Sequence, residues 1–244
     1  MTTGSKIALI TGASSGIGAA TAHRLAADGH RVVLGARRAD ELAEVTGKIR
    51  AFGGSAEHLP LDVTDMDSVR NFVRGAIERH GRIDVLVNNA GIMPLSRLDA
   101  GRVDEWNQMI DVNVRGVLNG IAAVLPVMKA QGSGHVVNVS STLGIEVIPT
   151  SAVYSATKAA VRVLSEGLRR EHQEIRVSVV SPSFTESELV TKGGDPDTMA
   201  YVQNLAQNLN MPTSIVADAI AYAIDQPGQI DVNEIVIRPL ATAG

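Results

Sequence analysis

From Lys6 to Ile237, short runs of β-branched and aliphatic residues alternate with longer stretches whose apolar residues recur every three or four positions. That alternation constrains the fold more than any other feature. The runs read as strands at Lys6–Thr11, Arg31–Ala36, Ala56–Leu61, Ile83–Val87, His135–Val139, Ile175–Val180 and Glu234–Ile237, with Pro60 a weak point in the third. Helical patterns fall between them. One ends near Gly29 and another covers Asp40–Phe52. A third is opened by Thr64, with Asp67 three residues on, and closed by Gly81. A long one spans Val103–Met128, one carries Tyr154 and Lys158, and the last is Thr213–Ile224. Several strands are apolar on both faces, as strands buried in parallel sheets are. The pattern predicts an α/β fold: a seven-stranded parallel sheet, doubly wound with helices on both faces, in a single domain over residues 1–244. Phe184–Met211 fits least well. Gly193-Gly194, Asp195-Pro196 and scattered Asn and Gln predict an irregular segment with at most short helices, a substrate lid or a tolerated surface insertion.

Composition narrows the function classes. The 244 residues are 45% hydrophobic, enough for a sizeable core, and aromatics at 3% leave that core to Val, Ile, Leu and Ala. The net charge is −4, and Lys/Arg clusters stop at pairs such as Arg37-Arg38, which argues against nucleic-acid or anionic-membrane partners. Without cysteine, disulfide and thiolate chemistry drop out. Ile7–Ile10 is too short for a signal peptide, and the apolar stretch at Val117–Met128 is interrupted by Asn119, Gly120 and Pro126. A cytoplasmic protein is expected. The histidines, His80 and His135 among them, show no ligand spacing, so no metal is expected.

Three local patterns carry chemistry. Thr11-Gly12-Ala13-Ser14-Ser15-Gly16-Ile17-Gly18 sits at the first strand-to-helix turn, where glycines admit a pyrophosphate and the helix N-terminus offers free N–H groups. The same stretch spells the G-x-S-x-G elbow of hydrolases, with Ser14 as nucleophile. Against that, only one strand precedes Ser14, and the late histidine, His172, lies among Arg169, Arg170 and Glu171. At the end of strand two, where a carboxylate would bind an NAD ribose, stands Ala36-Arg37-Arg38. Guanidiniums suit a 2′-phosphate, or simply open a solvated helix. Tyr154 and Lys158 stack at i and i+4 on one helix face. A neighbouring cation is expected to pull the phenol from about 10 toward neutrality, as acid–base work requires.

Taken together these residues resemble the single-domain short-chain dehydrogenases/reductases over nearly the whole chain. The glycine turn matches the family's T-G-x-x-x-G-x-G, Asn88-Asn89-Ala90-Gly91 its N-N-A-G, and Tyr154 with Lys158 its Y-x-x-x-K. Ser141 lies thirteen positions before Tyr154, Asn113 falls at the fourth catalytic position, and Asp62-Val63 matches the adenine-contacting pair. The resemblance implies a Rossmann domain whose NADP(H) lies at the switch point between strands one and four. It implies hydride transfer to or from a small carbonyl or secondary alcohol, and a homotetramer (or dimer) packed through the helices of Asn113 and Tyr154. Asn113, Ser141, Tyr154 and Lys158 would be catalytic: Tyr154 the acid or base, Lys158 its tuner, Ser141 the carbonyl holder, Asn113 the anchor of a proton-relay water. Cofactor contacts would come from Gly12, Ser14, Ser15, Gly16, Ile17, Gly18, Arg37, Arg38, Asp62, Val63, Asn89, Ala90 and Gly91. Tyr154, Lys158, Pro182, Ser183 and Thr185 would complete them.

Two departures stand out. Pro182-Ser183 replaces the family's Pro-Gly, with Thr185 or Ser187 as the following hydroxyl. Ser183 is expected at negative φ, unstrained and facing the pocket. The ending Val232–Pro239 lacks the Gly-Gly of 3-oxoacyl-carrier-protein reductases. It is similar instead to the NADP-dependent branch containing clavulanic acid dehydrogenase and 3-hydroxy-acid or serine dehydrogenases. A 3-oxoacyl-carrier-protein reductase and a catalytically silent NADP-binding sensor are the alternatives; the sensor would be marked by loss of Tyr154, Lys158 or Ser141.

Overall fold

The computed structural model describes residues 4–186, 189 and 193–240, without the side chains of 206–208. Its strands are β1 (Ile7–Thr11), β2 (Arg31–Ala36), β3 (Ser55–Pro60), β4 (Val85–Asn88), β5 (Gly134–Val139), β6 (Ile175–Pro182) and β7 (Glu234–Ile237). They form one sheet of seven parallel strands in the order β3-β2-β1-β4-β5-β6-β7. Pro60 is accommodated because β3 is an edge strand, where a missing N–H donor costs no ladder bond on the open side. The helices are α1 (Gly16–Ala27), α2 (Ala39–Ala51), α3 (Met66–His80), α4 (Val103–Ile110), α5 (Gly116–Gln131), α6 (Ala152–Glu171), α7 (Pro196–Leu209) and α8 (Thr213–Asp225).

The period-two alternation of β1 divides the core. Ala8 and Ile10 join Leu25 of α1 and Val216, Ile220 and Ile224 of α8 on one face. Ile7 and Leu9 join Phe72 of α3, Val117, Ile121 and Val124 of α5, and Val161 of α6 on the other. Both faces are thus covered. The order of connection reverses between β1 and β4, which opens a crevice at the carboxyl ends of the strands.

Four expectations are corrected. The cap of α3 is Asp65, whose side chain accepts from Asp67 N–H, while Thr64 hydrogen-bonds Asp62 instead. The single helix over Val103–Met128 is α4 and α5 joined by a π-helical turn at Asp111–Arg115, an extra-residue bulge of the kind that recurs at functional sites. As one continuous helix, 103–131 is long and apolar enough by length and composition to cross a membrane, with mean hydropathy 1.3. Asn119, Gly120 and Pro126 interrupt the apolar run without interrupting the helix, and its residues Val117, Ile121, Val124 and Met128 pack in the sheet-facing core. Lastly, the stretch after β6 contains the 14-residue α7. Asp195 caps it by accepting from Thr198 N–H at 2.9 Å, and Pro196 occupies its first position. That start signal was present in Asp195-Pro196 but hidden by the Asn- and Gln-rich composition.

Candidate active site

The glycine turn is fitted to the loop after β4 by backbone contact. A Cβ on Gly12, which has φ +66°, would lie 2.7 Å from Ala90 Cα. One on Gly18 would lie 2.5 Å from both Gly12 O and Asn89 Nδ2. Asn89 Nδ2 donates to Thr11 O at 2.9 Å and Gly12 O at 3.1 Å, and Thr11 Oγ1 accepts from the Asn89 and Ala90 N–H groups. The Asn89 side chain therefore holds the turn. Ser15, at the N-cap of α1, makes no capping bond. Its hydroxyl and that of Ser14 accept from Arg38 Nη2 at 2.7 and 3.0 Å. An arginine from the end of β2 is thereby set against the helix N-terminus, two groups that favour anions. Arg37 is exposed beside it. Burial pushes the Asp62 carboxyl up, but hydrogen bonds from Thr64 and the Arg37 charge outweigh it and hold Asp62 below its usual range.

Further along the crevice, β5 ends at Val139 and α6 supplies Tyr154 and Lys158. The Ser141 hydroxyl accepts from Leu143 N–H at 3.1 Å and interacts favourably with an ionised Tyr154. Lys158 Nζ donates to Val139 O at 2.9 Å and lies 5.8 Å from the Tyr154 ring centroid. Burial pushes Tyr154 up to about 12, with the Ser141 hydroxyl opposing, and pushes Lys158 down to about 8. The expectation that Lys158 draws the phenol toward neutrality is corrected. Both charged forms lose water, and the ammonium is directed at a backbone carbonyl rather than at the hydroxyl. Asn113 sits in the π-helical turn, buried. Its Oδ1 accepts from Ile92 N–H at 2.9 Å, and Nδ2 donates to Ile92 O at 2.9 Å and Thr157 Oγ1 at 3.1 Å. It ties the loop after β4 to α6.

These groups share one cavity of about 540 Å³. Gly12, Ser14, Ser15, Gly16 and Ile17 line one end with Arg37, Arg38, Asp62 and Val63; Asn89, Ala90, Gly91, Ser141, Tyr154, Lys158, Pro182, Ser183 and Thr185 line the rest. Gly18 and Asn113 are not among the lining residues, for Gly18 faces Asn89 and the Asn113 amide is bonded within the protein. Thr150 is the one non-glycine with positive φ among the described residues, so Ser183 is free of that strain. Its N–H donates to Ile237 O at 2.9 Å, and Thr185 Oγ1 donates back to Ser183 O. Ser187 lies outside the described residues. The lining also includes Leu143, Glu146, Ile148, Phe184 and Arg238, which carry no motif; they converge from three separate segments, and nothing in their local sequence marks them. At the far wall, Tyr154 clusters with Met199 and Val202 of α7.

Comparison with known proteins agrees with this geometry. An uncharacterised oxidoreductase of Staphylococcus saprophyticus subsp. saprophyticus is 47% identical over 238 residues, 96% of each chain. An alcohol dehydrogenase from the archaeon Thermococcus sibiricus, solved with 5-hydroxy-NADP, superposes with TM-score 0.89 at 30% identity over 99% of each chain. A short-chain dehydrogenase/reductase from Burkholderia phymatum, solved with NAD, gives TM-score 0.88 at 26% identity, covering 95% of this chain and 88% of that one. The model of the short chain dehydrogenase family matches residues 6–197, and with fold, motifs and relatives in agreement the chain belongs to that oxidoreductase family.

Proposed function

We propose that the protein is an NADP(H)-dependent carbonyl reductase/alcohol dehydrogenase acting on a small carbonyl or secondary alcohol. The observation that carries this reading is that Ser141, Tyr154 and Lys158 line the same cavity as the glycine turn and Arg38. The cradle fits a dinucleotide: the turn at Gly12–Ile17 and the N-terminus of α1 would hold the pyrophosphate, Arg37 and Arg38 the 2′-phosphate, and Asp62-Val63 the adenine. Bound NADPH supplies the hydride. A carbonyl oxygen lying between Ser141 and Tyr154 would accept from both hydroxyls, which stabilises developing negative charge there. With its pKa held at about 12, Tyr154 stays protonated at neutral pH, the form that donates to a nascent alkoxide. Lys158, held by Val139 O, would hold the ribose of the bound cofactor and supply positive charge there. Asn113 keeps Ile92 and Thr157 in place, a positioning role.

Tyr154→Phe tests the assignment. It should retain NADPH binding and lose carbonyl reduction by about 10²–10⁴, the value of general acid catalysis. A variant keeping more than about a tenth of the wild-type rate would remove Tyr154 from the chemistry. Retained binding with no turnover by the wild type on any carbonyl would instead favour the NADP-binding sensor. Activity on an acyl thioester alone would favour the 3-oxoacyl reductase. Cofactor choice is tested separately, because the two neighbours hold different nicotinamide cofactors on one fold. NADPH should be preferred, and Ala36→Asp with Arg37→Ser should shift the kcat/KM ratio toward NADH by about 10- to 150-fold, the worth of one charge-assisted hydrogen bond. Equal kcat/KM for both cofactors in the wild type would refute the role of the arginines.

In this reading the chain works as a single cytoplasmic domain, with 184–211 as its substrate lid. It assembles as a homotetramer through α5 and α6, where Leu118 and Val163 are 41% and 72% exposed. Light scattering checks the assembly.

A further inference from the structure

The two charged regions of the cavity lie at opposite ends of the sheet. Arg37 and Arg38 follow β2, whereas Arg238 follows β7 on the far edge, with Ser141, Tyr154 and Lys158 in the middle. Ser183 N–H bonds Ile237 O, so Arg238 adjoins the turn that carries Ser183 and Phe184. It therefore belongs to the end where the substrate body would extend. There it is already bound. Arg238 Nη1 donates to Glu146 Oε1 at 2.6 Å, joining the end of β7 to the loop between β5 and α6 across the cavity rim. The side chains are 32% and 49% exposed. Beyond Tyr154 and Lys158, this end is lined by the apolar Leu143, Ile148, Phe184 and Leu189 and by the uncharged hydroxyl residues Ser141, Thr142, Ser183 and Thr185.

A substrate carboxylate arriving here would meet a guanidinium that already holds a carboxylate. It would share Arg238 with Glu146, whose carboxylate already neutralises the guanidinium, and would face Glu146's charge in doing so. A neutral apolar chain meets the aliphatic and aromatic wall without desolvating a charge. Resting on the carbonyl-reductase reading above, we propose that the substrate is an uncharged, largely apolar aldehyde or ketone, or the matching alcohol. Glu146 is then the residue that excludes keto acids, by occupying Arg238. Hydride from NADPH would form the C–H bond and the Tyr154 proton the O–H bond; NADP+ and the alcohol leave, and the Tyr154 phenolate takes back a proton from solvent.

The test compares kcat/KM for a straight-chain methyl ketone and for the same ketone bearing a terminal carboxylate. It is run with NADPH on the wild type, Glu146→Gln and Glu146→Gln/Arg238→Gln. The wild type should favour the neutral ketone by about tenfold or more. Glu146→Gln, by releasing Arg238, should raise the acid-to-ketone ratio by about three- to fivefold, and the double variant should bring it back down. A wild type that prefers the acid overturns the proposal, and so does a ratio that Glu146→Gln leaves where it was. Reduction of neither compound, nor of any other carbonyl, with either nicotinamide cofactor would sink the carbonyl-reductase reading itself. Reduction of the acid alone would overturn this proposal and leave the carbonyl-reductase reading standing.

Discussion

The two ends of the crevice are held by different forces. At the β1–β4 end the backbone is fitted closely: a Cβ on Gly12 would strike the Ala90 backbone and one on Gly18 the Gly12 carbonyl, while the Asn89 side-chain amide donates to the Thr11 and Gly12 carbonyls. At the β6–β7 end, side chains and a few bridging bonds do the holding. The excursion from Phe184 to Met211 is closed at its base by the Thr185–Met211 bridge, and α7 rests on Tyr154 through Met199 and Val202. Glu105 of α4 fastens the approach to α7, accepting from Gly194 N–H at 3.0 Å while Arg102 pairs with both of its oxygens. Backbone fitting tolerates little change, whereas side-chain fitting can be re-cut residue by residue. One end can therefore keep a constant ligand while the other changes its own.

The largest expected effect lies where the ends meet. Lys158 has a folded pKa of about 8 against 10.5 for the free side chain. Between those values the unfolded chain binds more protons, so stability rises with pH from about 8 to 10.5, by up to about 3 kcal/mol. Tyr154, raised to about 12 from 10.0, acts in the opposite sense, and its contribution is lost as pH climbs from 10 to 12. Urea melts should therefore show the wild type gaining about 2 kcal/mol from about pH 7.5 to about pH 9.5, a gain that Lys158→Met lacks. Parallel curves for the two proteins would mean that Lys158 is solvated, and the wall around it not rigid.

Gly18→Ala probes the backbone-fitted end. Its Cβ would meet Gly12 O and Asn89 Nδ2 at 2.5 Å, so a loss of about 2 kcal/mol is expected, accompanied by weaker NADPH binding. A loss below about 0.5 kcal/mol would show that this turn yields as readily as the other end. The smallest effect is expected from Glu105→Gln, which weakens the tether on α7 by about 1 kcal/mol. The carbonyl substrate's KM should rise about fivefold while that of NADPH stays put. A rise confined to NADPH would erase the distinction between the ends.

The same division explains which residues were legible in the sequence. The motifs at Gly12–Gly18, Asn88–Gly91 and Tyr154–Lys158 each lie within one turn or one helix, so local spacing marks them. The strands were legible within a residue or two because parallel, two-sided burial writes continuous apolar runs. By contrast α7 was missed: its apolar residues serve a small satellite cluster with Tyr154, not the sheet, and its polar positions carry the Asn and Gln that suggested a loop. The π-helical turn was also missed, because it inserts a residue without disturbing a pattern read at three and four. Asn113 could be located by resemblance, but its bonds to Ile92 and Thr157 join segments 21 and 44 residues away.

By itself, then, the sequence determined a parallel sheet wrapped on both sides, a glycine turn after β1, arginines after β2, and a tyrosine–lysine pair on one helix face. Each of these follows from spacing within a single element, where backbone geometry fixes which side chains are neighbours. Only the tertiary structure decided that Arg38 bonds Ser14 and Ser15, that the Asn89 amide supports the glycine turn, and that Glu146 holds Arg238. It also set the proton affinities of Tyr154 and Lys158, and in the opposite direction to that expected from their proximity alone. Charge separation along a helix is a local quantity, but loss of water is not. The desolvation that raises Tyr154 and lowers Lys158 is imposed by walls brought in from β5, the loop after β4 and α7, which meet only when the chain is folded.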